Sequence, residues 1–274
     1  MVMYGSTPTD SSQRTFFAEK WPASALSFRG TSSRGATTHS RPRSINGHWT
    51  LMSKLHCGME GSQVMHPTSV FHWKDRAEML AFVRARSFAT LVDESLRVAQ
   101  VPFIVDEAAS RLLCHFSRGN PMSRALPMRV VAVVNGADAY VSPDWYKSHD
   151  QVPTWDYESV EIVGSLTPVD DTLLRDILAA LSAEHEARIP DKAPWTMNKL
   201  RPATLDKMLT GIVGAALSIE SIRGTQKLSQ NKSDDDFDGV VAALERSPSQ
   251  HDRDVAARMA LVRRRRAEAL TGRA

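Results

Sequence analysis

Residues 88–117 read FATLVDESLRVAQVPFIVDEAASRLLCHFS, and this stretch decides the fold. Three apolar, β-branched runs, FATLV (88–92), LRVAQVPFIV (96–105) and RLLCHFS (111–117), are separated only by Asp93-Glu94-Ser95 and by Asp106 to Ser110. Runs of this kind and length read as strands. A parallel crossover needs a dozen or more residues, so connections this short require antiparallel pairing.

The pattern continues on both sides. Upstream, Ser69 to Arg86 opens on a cap-like Ser69 or Asp75 and carries Ala77, Leu80, Ala81, Phe82 and Val83 at helical spacing. Downstream, Gly119-Asn120-Pro121 breaks the chain ahead of a short helix. MRVVAVVNG (128–136) and ADAYVS (137–142) then predict two strands joined at Asn135-Gly136, a strong hairpin pair. TWDYESVEIVGSLTPV (154–169) reads as a long strand, followed by a helix from Thr172 to about Arg188 capped by Asp170 or Asp171. A short helix over Thr204 to Leu209, a last strand over about Ala215 to Gly224 and one or two charged helices from Asp234 complete the chain. Six or so antiparallel strands with peripheral helices predict an α+β fold built on a small barrel.

Of the 274 residues, 42% are hydrophobic and 24% charged, enough for a real core. No apolar run approaches the ~18 residues that span a bilayer. Two cysteines, Cys57 and Cys114, cannot build a disulfide framework or a four-thiolate zinc site, and a reducing, cytoplasmic setting is expected. The net charge of +3 is unevenly distributed: residues 1–64 hold seven Lys/Arg against three Asp/Glu, the remainder 27 against 28. The body therefore has no general field for neutralising phosphates, which weakens the case for direct DNA binding and leaves it open. Segment 1–64 has 18 Ser/Thr and scattered apolar residues, and is expected to build no core. It reads as an unstructured or non-native extension, with a transit peptide or an ordered arm as alternatives. The expected organisation is this extension, a barrel domain over 65–232 and a helical segment over 233–274.

No Gly-rich phosphate fingerprint, nucleophile elbow or His/Cys cluster at metal spacing is present, so no metal and no catalytic side chain is assigned. Four segments stand out. In HFSRGNP (115–121) a strand ends at Arg118 and turns into Pro121, a start suited to a helix. A guanidinium beside a helix start can receive a phosphate, although a solvated arginine in a loop explains the residues too. VSPDWY (141–146) and VPTWDY (152–157) gather two Trp and two Tyr around prolines, suited to stacking on a planar ring, to a subunit interface or to ordinary packing. QKLSQN (226–231) offers Lys227 to an anion or simply ends a strand. The arginine run 263–266 reads as a solvated tail, or as a weak contact for nucleic acid or an acidic partner.

Taken together and in order, these segments resemble the PaiB-type negative transcriptional regulators, also described as the FMN-binding type 2 family. The resemblance runs from about Met65 to Val240. It rests on the FATLV strand, His-x-x-Arg-x-Asn-Pro at 115–121, Ser-Pro-x-Trp-Tyr at 142–146, Val-Pro-Thr-Trp-x-Tyr at 152–157 and Lys-Leu-Ser-Gln-Asn at 227–231. Gln226 stands where the family commonly has Trp, and Phe116 is bulkier than usual. The resemblance implies a split β-barrel acting as a homodimer, with FMN held at the subunit interface. It implies that Arg118 and Asn120 face the phosphate and that Thr90 and His115 line the flavin. By the same resemblance Trp145, Thr154 and Trp155 close the cleft, with Lys227 and Gln230 as further contacts. A regulator is expected, with an FMN-dependent oxidoreductase or flavin reductase as the alternative, since flavin chemistry needs no acid or base from the chain.

Overall fold

The computed structural model describes residues 66–271 apart from residue 109; the reading of segment 1–64 lies outside the described residues. The elements are β1 (His72–Trp73), α1 (Arg76–Arg86), β2 (Phe88–Asp93), β3 (Val98–Asp106), β4 (Arg111–Ser117), β5 (Met128–Val141) and β6 (Thr154–Pro168). They continue with α2 (Asp171–Glu186), α3 (Pro202–Leu209), β7 (Ile212–Ser218), β8 (Ser221–Lys227), α4 (Asp234–Glu245) and α5 (Gln250–Thr271). The strands follow the order β1-β8-β6-β5-β2-β3-β4-β7, and β6 also pairs with β7. Six strands, β6-β5-β2-β3-β4-β7, therefore close into an antiparallel barrel, with β8 and β1 branching from β6. The α+β split-barrel fold expected from the sequence is the fold observed.

Closure depends on β6 changing partners. Its residues Tyr157–Val163 pair with β8, and Leu166–Pro168 pair with β7. Gly164 lies at the fork, where an added Cβ would sit 1.7 Å from the Ser218 carbonyl oxygen. Backbone cannot give way as a side-chain tip can. Gly164→Ala is expected to cost the upper part of the ~1–3 kcal/mol typical of overpacking, read as a lower denaturation midpoint with an unchanged slope.

Two strand assignments are corrected. Asn135-Gly136 is not a hairpin turn: β5 runs on to Val141, with a register shift between Asn135 and Asp138 as it pairs with β6. A β-bulge absorbs the extra residue, and β6 offers a partner along the whole length. The predicted last strand is two, β7 and β8, which turn at Ile219-Glu220 without glycine or proline. Glu220 N–H, in that turn, donates to the Val163 carbonyl of β6 at 3.0 Å. Of the two caps the sequence offers for the first helix, Asp75 is the one used: the helix starts at Arg76, and the Asp75 carboxylate accepts the Glu78 N–H.

The barrel interior holds the main core, including Phe103, Met122, Ile162 and Leu166. Ile177 and Leu181 of α2 cover Leu113 and Ala216 on the outside of β4 and β7. A second core lies where β5 and β6 run past the barrel: Ala139 and Val141 pack against Phe237, Val240 and Leu244 of α4 and Val255 and Met259 of α5. Part of the arginine run is paired within this assembly while staying solvent-exposed. Arg263 pairs with Asp234 and Asp238, and Arg265 pairs with Glu78 at 2.6 Å.

Asp236, buried in the first turn of α4, ties the loop after Tyr146 to this second core. Its carboxylate accepts the Ser148 hydroxyl at 2.6 Å and the Ser148 and Lys147 N–H groups at 2.9 and 2.8 Å. The Ser148 hydroxyl bond foremost, then these amides, holds its pKa down at about 2. A depressed carboxylate pKa contributes stability above the ordinary Asp value, lost as pH falls through the folded value. Asp236→Asn is therefore expected to melt below wild type at neutral pH, with the gap closing between about pH 4 and 2 in thermal melts.

Candidate functional site

Strand alternation places two of the predicted residues on one outer face. In β2, Ala89 and Leu91 enter the core, so Phe88, Thr90 and Val92 point outward. Thr90 Oγ1 donates to Gln100 Oε1 of β3 at 3.0 Å on that face. In β4, Cys114 lies opposite Phe103 and is buried with it, which turns His115 outward. His115 Nδ1 is buried and has no hydrogen-bond partner among the described residues. Burial pushes its imidazole pKa below the usual value, favouring the neutral ring. Around these polar groups Phe88 and Val98 are each 54% exposed, and Leu96 is 81% exposed at the β2–β3 turn. Leu96 has φ 61°, a conformation that disfavours a branched side chain.

Arg118 follows directly on β4. Its Nε and Nη2 donate to the Thr210 and Ile212 carbonyls at 2.8 and 3.0 Å, pinning the α3–β7 connection. Its Nη1 has no hydrogen-bond partner among the described residues. Arg118 also lines a cleft of about 290 Å³ with Asp171, Arg175 and Asp206, where Asp206 is paired with Arg175 at 2.8 Å. The expected helix start at Pro121 is a four-residue 3₁₀ turn, Pro121–Arg124. Asn120 Oδ1 caps it by accepting the Met122 N–H at 2.9 Å. That donor is thus satisfied within the protein, and the turn is too short to gather a helix dipole. The guanidinium is the group left to meet an anion.

The remaining predicted residues form a second cluster at the ends of β6 and β8. Lys227 Nζ donates to Thr154 Oγ1 at 2.8 Å and the Trp155 carbonyl at 2.5 Å, and pairs with Asp156 Oδ1 at 3.2 Å. Ser229 Oγ donates to Asp156 Oδ2 at 2.6 Å. Burial raises the Asp156 pKa, against the opposing bond from Ser229 and the charge of Lys227. Gln230 is turned onto backbone: its oxygen accepts the Leu228 N–H at 2.6 Å and its nitrogen donates to the Val70 carbonyl at 3.3 Å. Trp155 stays 54% exposed, edge-on to Tyr140 with centroids 6.2 Å apart. Trp145 packs against the second core, its carbonyl oxygen 2.1 Å from where a Cβ on Gly239 would lie. The structure therefore joins Thr90 and His115 on one face with Arg118 at its edge. It groups Lys227, Thr154, Trp155 and Gln230 elsewhere, with Lys227 and Gln230 already engaged.

Sequence reasoning missed a deeply buried ion pair. Glu158, whose side chain is 2% exposed, is forked by Arg258 Nε and Nη2 of α5 at 2.7 and 2.8 Å, and Gln226 Nε2 donates to it at 2.8 Å. The signal was present in WDYE: Asp156 and Glu158 sit two apart, on the buried side of a strand. Among the described residues, no group of three His, Cys, Asp or Glu is placed to hold a metal, and no helix is long and apolar enough to cross a membrane.

The fold is an antiparallel split barrel that carries polar and apolar groups together on one outer face. Residues 65–221 match the family described as "Putative FMN-binding domain". The chain belongs to that family, and its cofactor is FMN. It is 28% identical over 199 residues to the "Protease synthase and sporulation protein PAI 2" of Bacillus subtilis, covering 70% of this chain and 95% of that one. It is 27% identical over 110 residues to the "Uncharacterized protein YKL070W" of Saccharomyces cerevisiae, covering 36% of this chain and 65% of that one. Among solved structures it is similar to the FAD and heme binding protein of Mycobacterium smegmatis, with 19% identity, a TM-score of 0.45 and coverage of 63% of this chain and 80% of that one.

Proposed function

We propose that this flavin-binding split-barrel protein is a homodimeric negative transcriptional regulator of the PaiB type, with FMN held between subunits and its effect on transcription indirect. The observation that carries the reading is the outer face of β2, β3 and β4. It combines exposed Phe88, Leu96 and Val98 with Thr90 and the unpartnered nitrogen of His115. An apolar patch rimmed by polar groups suits a subunit interface that also grips a ring. On this reading the apolar side chains receive the flavin ring, Thr90 and His115 meet its polar edges, and Arg118 Nη1 takes the phosphate. Asn120 holds the turn that aims Arg118. Trp155, with Thr154 fixed by Lys227, closes the cleft from the second subunit, while Trp145 and Gln230 support that wall. The fit is of chemistry: an aromatic ring, a hydroxyl-rich chain and an anion meet groups suited to each. Bound FMN would supply redox chemistry.

The indirect mode follows from charge. Arg263 and Arg265 already face carboxylates of this chain, which lowers the net positive field that the arginine run offers to DNA phosphates. Sedimentation of the purified protein at micromolar concentration should give a yellow dimer; a colourless monomer would overturn the shared-cleft reading. Nanomolar binding to a specific duplex at ~150 mM salt would make the effect direct. The alternative is an FMN-dependent oxidoreductase or flavin reductase, since flavin chemistry needs no acid or base from the chain. Steady bleaching of the flavin by NADH or NADPH would select it.

A further inference from the structure

Away from the flavin face, α1 and α5 border a cleft of about 470 Å³, within the range of small-molecule sites. Its floor is aromatic: Trp73 and Phe82 meet edge to face with centroids 5.2 Å apart. Gly136 lets strand β5 come close to Phe82, since a Cβ there would lie 3.2 Å from the ring. The walls are small side chains, Ala81 and Ala85 from α1 and Ala257 from α5. The space between the two helices is thus left open.

The charges around the cleft are mostly paired. Trp73 Nε1 donates to Glu78 Oε2 at 3.1 Å and Arg265 binds Glu78 Oε1 at 2.6 Å. Arg258 approaches Glu158 side-on through Nε and Nη2, leaving its Nη1 protons without an acceptor among the described residues. Asp254 at the rim accepts the Gln250 amide at 2.7 Å. Arg86 lines the same cleft and has no acidic partner among the described residues. An aromatic floor, small walls and two sets of unused guanidinium protons are complementary to one kind of molecule.

We propose that this cleft is a second ligand site, distinct from the flavin face, that takes a small aromatic carboxylate. Its ring lies on Trp73 and Phe82, and its carboxylate accepts from Arg86 and from Nη1 of Arg258. A guanidinium–carboxylate bond is charge-assisted and directional, so the anion is selected over a neutral molecule of the same shape. Because Arg258 belongs to α5 and Arg86 to α1, an occupant bridges the C-terminal helix and the barrel flank.

The probe is 1-naphthoate, titrated calorimetrically into the FMN-saturated full chain, with 1-naphthalenemethanol as its neutral counterpart. One naphthoate per chain is expected, bound about tenfold more tightly than the alcohol. Arg86→Ala should reduce that preference to the part that Arg258 supplies, leaving the alcohol unaffected, because one of the two charge-assisted bonds is lost. Ala81→Leu, on an exposed helix position where leucine costs little relative to alanine, should abolish binding of both by filling the cleft while the flavin spectrum stays unchanged. Naphthoate that displaces FMN, binds equally well to Ala81→Leu, or fails to bind at millimolar concentration overturns the proposal. Since the flavin absorbance is followed in the same samples, a failure of FMN binding is seen separately.

Discussion

Replacing Arg258 by alanine is expected to destabilise the protein by about 3–5 kcal/mol, the usual consequence of leaving one member of a buried ion pair uncompensated. Glu158, whose side chain is 2% exposed with Arg258 in place, would keep Gln226 as its one remaining side-chain donor among those described. Arg258→Lys should recover only part of the loss, because an ammonium cannot reproduce the side-on fork. The double variant Glu158→Leu, Arg258→Met should lose much less than the sum of the single changes, since a well-packed apolar pair is often as stable as the ion pair it replaces. Denaturant melts of the four proteins form a double-mutant cycle. Additive losses would show that the pair is not coupled and that α5 is held by its apolar face alone.

Arg118→Ala is expected to weaken FMN roughly ten- to a hundred-fold, the equivalent of one charge-assisted bond of about 1.5–3 kcal/mol. Riboflavin, which lacks the phosphate, should bind the variant as it binds wild type. Arg118 also holds the Thr210 and Ile212 carbonyls, so a modest fall in melting temperature should accompany the change. Arg124→Ala, in the neighbouring turn, should leave FMN affinity intact. Fluorescence titration with both flavins separates the possibilities: equal weakening of FMN and riboflavin would mean that Arg118 supports the fold or the ring rather than the phosphate.

The three strands over 88–117 were legible because alternation and connection length are local properties. Asn135-Gly136 was misleading for the same reason. Its dipeptide chemistry suits a tight turn, but the long β6 opposite it rewards an uninterrupted strand with a bulge. The β7–β8 turn escaped notice because Ile219-Glu220 carries no residue that marks a turn. At the candidate site, alternation suffices to put Thr90 and His115 on the outside of the barrel. Where a flexible polar side chain finds its partner is a tertiary matter. Gln230 reaches the Val70 carbonyl, 160 residues away in the chain, and Lys227 folds back on the edge of β6; neither choice is written in the KLSQN segment. The helix start expected to cradle an anion beside Arg118 became a capped 3₁₀ turn, because Asn120 claims the first free amide.

The β5–β6 hairpin is shared between two cores, one inside the barrel and one beneath α4 and α5. This restricts where the gene can be cut or recombined. Ending the chain near residue 230 would strip cover from Ala139, Val141 and the carboxylate of Glu158 while leaving every barrel strand in place, giving a fragment with native topology and a sticky flank. Grafting the C-terminal helices from a relative would succeed only if residues 137–158 travel with them. The unit of exchange is therefore the helical pair together with the strand ends it sits on, and the boundary of that unit falls in the middle of two strands rather than in a loop.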